Sequence, residues 1–571
     1  MFVREMAIHH TLGQTEATTL PASLQDTIRS RLSGLEDAQV LVLRTVAYLG
    51  ASATLSRTIA ATGLSPTIVG ETISQLESDG LLFLDSRSTL GLHECWMNEV
   101  IASTPSVAEA AACLQCAKAL TDSGLGLLSQ EERWRAGDLF SRAGALTEAL
   151  NCHLAAIDQM LARGLLSQAA TALEEARVTA GHSTPQLGLL ARTAEIHLAH
   201  GDVAAAANCL TAVPRTREEA IGRGEDPTEW VLCQAYRHDA SAKLKPAELA
   251  DTRSLLAAVQ CEGAASFSRQ TAAFIGARTC LWQDDLDGLR RFYELGIAIG
   301  EPHEMTLAKG FLEILFLAEL GDTRHFLEAN RRLEELETSF APLRLLHTSK
   351  RYRATGLRMH GFLDDALLIA EQVFHSGSAS NQNDNACAAA ELISFILLDQ
   401  EMPEQAQEWI NRAIAVTPPQ SNVLRLKGIT HAANRCRWQR GDAAGAAEAM
   451  RPHMRQLERD ANKTRRFGEV LTYAVASLEA GEDLERAQQI ADTVAIELVE
   501  MTPTGISDYP AEMLLRALHR SNHPRAEEMS ATLIDRRRRY FNRPIAPFFR
   551  ELNRHGDFPQ ALYSGRSPTE T

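Results

Sequence analysis

A fixed beat of 40 residues constrains this 571-residue chain more than any other feature. Gly361-Phe362-Leu363-Asp364-Asp365-Ala366 is followed by Glu401-Met402-Pro403-Glu404-Gln405-Ala406 and then by Gly441-Asp442-Ala443-Ala444-Gly445-Ala446. Each break falls 40 residues after the last, with an alanine five residues on. The beat extends to Gly201-Asp202 with Ala206, to Gly321-Asp322 with Phe326 in the alanine's place, and to Ser521-Asn522 with Ala526; Gly481 is joined by Ala487, one residue late. Between 201 and 321 the marks blur to Lys245-Pro246 and Gln283-Asp284, an interval that holds two further periods. A fixed period of this length signals stacked repeats. The text on both sides of each break reads helical, as in Phe311, Leu315 and Leu317 before Gly321 and Phe326, Leu333 and Leu336 after it. Gly, Asn or Asp at the break suits a left-handed helix cap followed by an N-cap acceptor. The alanine then marks where two helices of a hairpin cross closely.

Break, Asp and Ala together resemble the helix-turn-helix spacing of tetratricopeptide repeats, with helices about a turn longer than the usual ~34-residue unit. The implied fold class is all-α: a tetratricopeptide-like solenoid, with a small winged-helix domain in front. The net charge of −16 argues against wholesale coating of nucleic acid, which needs Lys and Arg to displace counterions. Apolar runs stay short of the ~20 residues of a membrane span, and the N-terminus lacks the apolar core of a signal peptide. The ten cysteines are scattered through helical text, the distribution of buried, reduced thiols in a cytoplasmic protein. Cys113-x-x-Cys116 has metal or redox spacing, and His93 and Cys95 lie near it in sequence, but no second CxxC follows. Buried helix cysteines are the expected reading, with no metal and no cofactor.

In chain order, residues 1–19 read as a remnant-like segment and 20–104 as a degenerate winged helix. Leu24, Ile28, Leu32 and Leu35 form a helical stripe after Pro21. Val42, Val46 and Leu49 mark a second helix that stops at Gly50. Leu55–Thr62 follows, then a Gly63-Leu64-Ser65 turn and a helix from Pro66 to Asp79. Leu81–Leu84 and Thr89–Leu92 read as a hairpin. The would-be recognition helix carries Glu71, Glu77 and Asp79 and no base, so groove binding by that face would be repelled. Residues 105–180 read as capping repeats, with Gly144 before Ala149 and Gly164 before Ala169. Residues 181–535 form the array, with Pro214–Pro227 and Ser376–Asn385 expected as long loops. Residues 536–571 form a basic helix and a disordered tail.

Leu20-Pro21-Ala22-Ser23-Leu24, Ala47-Tyr48-Leu49-Gly50, Ile59-Ala60 with Gly63-Leu64-Ser65, and Leu76 through Gly80-Leu81-Leu82 resemble the winged-helix segment that follows the ATPase in STAND-type signalling ATPases, among them the large ATP-dependent LuxR-type regulators. His93-Glu94 stands where that family closes the wing strand with a His, and Phe2-Val3-Arg4-Glu5-Met6 resembles the end of the family's ATPase lid. The resemblance covers residues 1–104; beyond it, the array fits the family's superhelical sensor arm by architecture. It implies a regulatory chain in signalling or transcription that relays binding to an ATPase. No Gly-x-x-x-x-Gly-Lys-Ser/Thr loop is present, and none of the lysines follows a glycine, so that ATPase is expected on another chain. The LuxR-type DNA-binding domain has no counterpart either.

Nothing in the sequence rises to a catalytic motif: His303-Glu304 lacks a second His, and Gly124-Leu125-Gly126 lacks a preceding strand. The chain reads as non-catalytic. Solenoids bind on the concave face, and counting back from each break places Arg351, Arg358, Glu391, His431, Arg435 and Trp438 there. Arg forks hold carboxylates or phosphates, and Trp438 beside Arg435 could stack a ring; an ordinary solvent-facing row is the plainer alternative. The partner is then a protein, a peptide or a small effector. Arg536, Arg537, Arg538 and Arg539 with Arg543 are either a solvated last helix or a contact for an acidic partner or nucleic acid, which leaves DNA-binding regulation as the second reading.

Overall fold

A computed structural model describes residues 34–532 except 87, 94–108, 182–186, 245–251, 284, 302–305, 321–322, 338–342, 418–422, 459–462, 501–507, 522 and 530. The 1–19 segment, the Leu24–Leu32 stripe, Cys95 and the Arg536–Arg543 cluster lie outside the described residues. The chain divides into two compact units, one running to Met160 with Gln168–Thr184, the other comprising Leu161–Ser167 and everything from Pro185.

The first unit opens with α1 (Asp37–Leu49), α2 (Leu55–Thr62), α3 (Pro66–Ser78) and the strands β1 (Leu82–Leu84) and β2 (Leu90–Leu92). Its local chemistry is that of its caps. Thr54 accepts from the Arg57 N–H to start α2, and Gly63 ends it at φ +67°. Ser65 accepts from the Ile68 N–H, with Pro66 at the first turn of α3, where its missing N–H costs nothing. The strands pair antiparallel, Leu82 with Leu92 and Leu84 with Leu90, each strand shorter at its start than the sequence suggests. Val42, Val46, Val69, Leu76, Leu82 and Leu90 bury together with Cys113 and Leu120 of α4 (Glu109–Thr121). Then come α5 (Gln130–Arg142), α6 (Leu146–Ala162) and α7 (Leu166–Ala180), with Ala149 and Ala169 fully buried after their turns.

The second unit is a run of helical hairpins. The first three are α8 (Leu187–His200) with α9 (Val203–Cys209), α11 (Pro227–Leu244) with α12 (Arg253–Val259), and α13 (Ser266–Trp282) with α14 (Leu286–Ile297), a short α10 (Arg217–Gly222) lying between the first two. Next are α15 (Leu307–Leu320) with α16 (Thr323–Glu337), α17 (Leu343–Met359) with α18 (Leu363–Ala379), and α19 (Asn383–Asp399) with α20 (Pro403–Val416). The run ends in α21 (Val423–Gln439) with α22 (Ala443–Met450), a short α23 (Met454–Leu457), α24 (Lys463–Ala480) with α25 (Leu484–Glu500), and α26 (Asp508–Arg520). Two periods do fill the blurred interval. At the breaks Gly361 and Gly441 take φ of +85° and +88°, and Asp202, Asp285 and Asp442 cap the second helices by accepting from the N–H three residues on. Ala206, Ala366, Ala406, Ala446 and Ala487 are completely buried at the crossings.

Two expected loops come out differently. Ser376–Asn385 is almost wholly helical: α18 runs through Ala379 and α19 starts at Asn383, leaving a tight turn at Ser380–Gln382 in which Asn381 adopts φ +56°. Polar composition misleads there because packing decides where a helix ends. Pro214–Pro227 holds α10 and is pinned by Trp230 Nε1–H and Gln234 Nε2–H, both donating to the Pro214 carbonyl.

The array also closes on itself. The first helix of each hairpin packs on its sequence neighbours, and in addition α8 meets α19 and α11 meets α21, five hairpins further on. The inner side expected as a concave binding face is therefore in part taken up by these helix contacts.

Candidate functional site

All six residues expected on the inner face lie on first helices, and five of them, Arg351 apart, make contacts between hairpins. Asp399, at the end of α19, is the hub. Arg358 Nε of α17 donates to its Oδ2 at 2.6 Å and Arg435 Nη1 of α21 to its Oδ1 at 2.7 Å, so one carboxylate joins three successive hairpins. Burial alone would raise the Asp399 carboxyl; the two guanidiniums outweigh it and hold the group below its usual range. The Arg358 guanidinium also lies over the Phe395 ring at 5.2 Å, and Phe395 meets His431 edge-on at 5.4 Å. Trp438 Nε1 donates to Glu479 of α24 at 2.8 Å, and Arg516 of α26 covers the indole at 5.4 Å. The Glu391 carboxylate lies over Gly428, in the space a Cβ there would take. Arg351 stacks on Tyr352 at 4.5 Å.

Arg351, His431, Arg435 and Trp438 each expose less than a tenth of their surface. The guanidinium fork expected to hold a carboxylate is taken up here by Asp399 itself, in a ladder whose Arg358 and Asp399 side chains stay 22 and 21% exposed. Register fixes which way a side chain points, and the neighbouring hairpins fix what it finds there. Asp399 is absent from the six, although its spacing of 41 from Arg358 and 36 from Arg435 follows the repeat closely enough to have marked it.

The first unit carries an open groove of about 960 Å³ that the sequence does not flag. Tyr48, Trp134, Arg135, Asp138, Arg142 and Glu175 line it. Both arginines are committed. Arg135 Nε donates to the Tyr48 carbonyl at 3.0 Å, and its guanidinium fills the space where Gly50 lacks a side chain. Arg142 pairs with Glu109 and covers the Tyr48 ring. Asp138 meets the buried His153 at 3.2 Å, while its own side chain and Glu131 stay in water. The run Glu131-Glu132-Arg133-Trp134-Arg135 in one helix is the signal that could have found this groove.

Cys113 and Cys116 are buried in α4, and burial pushes the Cys116 thiol up to about 12. Among the described residues no three His, Cys, Asp or Glu side chains gather as a metal site, and no helix is long and apolar enough to cross a membrane. His93 is exposed, its backbone N–H donating to the Leu81 carbonyl and its ring 5.5 Å from Phe83.

No protein-family model matches the chain, and no curated protein does. Among solved structures, the chain is similar to a Signal Transduction ATPase with Numerous Domains (STAND) protein with a tetratricopeptide repeat sensor from Pyrococcus horikoshii. The two share 12% identity at a TM-score of 0.45, over 85% of this chain and 67% of that one. A likeness that loose carries no function across, and the all-α hairpin array is read from the helices themselves.

Proposed function

We propose that this chain is a non-catalytic regulatory and interaction protein. Its hairpin array takes a protein, peptide or small-effector partner, and the helix–hairpin unit in front, read as a degenerate winged helix, docks onto a protein that responds. The resemblance of residues 1–104 to the segment behind a STAND ATPase makes a separately encoded ATPase the first partner to try, in a cytoplasmic signalling or transcriptional setting.

The observation that carries this reading is the solvent face of α3. It presents Thr67, Ile68, Glu71, Ser74, Gln75 and Glu77, all exposed, with acids and an isoleucine where a DNA reader needs arginine or lysine. Ile68 is 44% exposed, and Leu84 of β1, the strand packed beside α3, is 50% exposed. Apolar side chains left in water on an otherwise acidic unit suit a protein contact better than a phosphate backbone.

Capture from the native cells with wild-type and Ile68→Asp/Leu84→Asp baits tests this. The responding protein should be held by the first and lost from the second, and the purified chain should leave DNA unshifted at ~0.15 M salt. A DNA shift that survives that salt and disappears on Arg536–Arg539→Ala would put the DNA-binding regulator in front.

A further inference from the structure

Near the axis of the array four charged side chains come together from three hairpins. Asp239 and Lys243 stand one turn apart on α11, Arg278 comes from α13, and Asp384 comes from the first turn of α19. Arg278 pairs with Asp239. Lys243 Nζ lies 3.4 Å from Asp239 and 2.9 Å from Asp384 Oδ2, a residue 141 positions away. The side chains of Asp239, Lys243 and Arg278 expose 2, 3 and 7% of their surface, and that of Asp384 15%. Aromatic rings wall the cluster: Arg278 lies over Phe274 at 5.4 Å and Trp282 at 4.8 Å, and Phe274 meets Tyr352 of α17 edge-on.

We propose that the Lys243–Asp384 pair is a latch that holds the array closed about its axis and can release it. In a plain solenoid each repeat touches only its neighbours. Here α8 and α11 also rest on α19 and α21, and the bond from Lys243 to Asp384 spans the same closure. A buried ion pair fixes geometry strongly but adds little net stability, because both charges regain water when it opens. An apolar seam would lock the closure; an ionic one leaves two arrangements close in free energy, the condition for a switch. Opening would expose the inner surfaces of α8, α11, α19 and α21, including the Asp399 ladder. The latch is a property of the array whatever its partner proves to be.

Amide hydrogen exchange and small-angle scattering on the full chain test it, using Asp384→Asn, Lys243→Met and the charge-conserving Asp384→Glu. The first two should speed exchange in α8, α11 and α19 by about tenfold or more while leaving α3 and α4 unchanged. They should also enlarge the radius of gyration, and Asp384→Glu should restore both. Wild-type protection in α11 and α19 for Asp384→Asn and Lys243→Met would overturn the latch. A second readout needs no variant. In the wild-type chain under sub-denaturing urea, α11 and α19 should lose protection at one common urea concentration. If α19 opens with α17 and α18 while α11 stays protected, the array is an ordinary solenoid and the latch is refuted.

Discussion

At Asp399 a single carboxylate answers two guanidiniums, and the pH at which that arrangement fails follows from its titration. Asp399→Asn leaves Arg435, almost wholly buried, and Arg358 facing a neutral amide. Stranding buried charge in this way costs about 3 kcal/mol. In the folded chain the carboxyl is held below its usual range by Arg358 and Arg435 against the opposing effect of burial. Its contribution is therefore present in full above the unfolded pKa of about 4 and is lost as pH falls through the folded value. Urea melts of wild type and Asp399→Asn should thus differ most at neutral pH and converge as pH is lowered from the unfolded pKa of about 4 down through the lower folded value. A gap that stays constant over that range would mean that the ladder owes its strength to packing and not to charge.

Where helices cross, the clearest case is the repeat that departs from its own rule. Phe326 occupies the place that alanine holds elsewhere, and it is completely buried, stacked on His360 at 4.3 Å. The room comes from the next hairpin, because Gly356 of α17 offers no Cβ where the Phe326 ring sits. The two positions should therefore be coupled. Gly356→Ala alone should cost about 1–3 kcal/mol by overpacking, and Phe326→Ala alone about 3–5 kcal/mol by leaving a cavity. In the Phe326→Ala background Gly356→Ala should cost far less, so the double-mutant cycle should close with a coupling of about 1 kcal/mol or more. Additive losses in chemical denaturation would show that the glycine serves another purpose. The sequence makes the breaks, the Asp caps and the crossing alanines legible, because each depends on one residue's local chemistry. Even Glu401, at φ +61° where other hairpins have glycine, can be read from the beat. The sequence does not make legible the helix hidden in Ser376–Ala379 or the burial of Arg435 and Trp438. Both depend on contacts between residues far apart in the chain, which a local pattern does not record.

Across the whole molecule, the cysteines report how the parts come apart. All nine described cysteines are free, and only Cys209 is not buried. Burial pushes the thiols of Cys152 and Cys280 up to about 11 and about 12, and that of Cys233 higher still. The thiolate is the reactive form, so labelling in the folded chain waits on opening, and each thiol times the opening of its own surroundings. Cys209 should label first. Cys233 on α11, Cys280 on α13 and Cys387 on α19 belong to different hairpins, and in a nearest-neighbour array they would be freed one after another as fraying moved inward. In an array closed by α8 on α19 and α11 on α21, none of these hairpins can leave without breaking contacts on both sides, so the three should label at a single rate. Cys113 and Cys116 belong to the other compact unit and should follow a rate of their own. Pulsed thiol labelling in sub-denaturing urea, read site by site by mass spectrometry, separates the two schemes. Staggered rates for Cys233, Cys280 and Cys387 would return the array to a one-dimensional stack, whereas a shared rate would mean that its repeats open and close as one body.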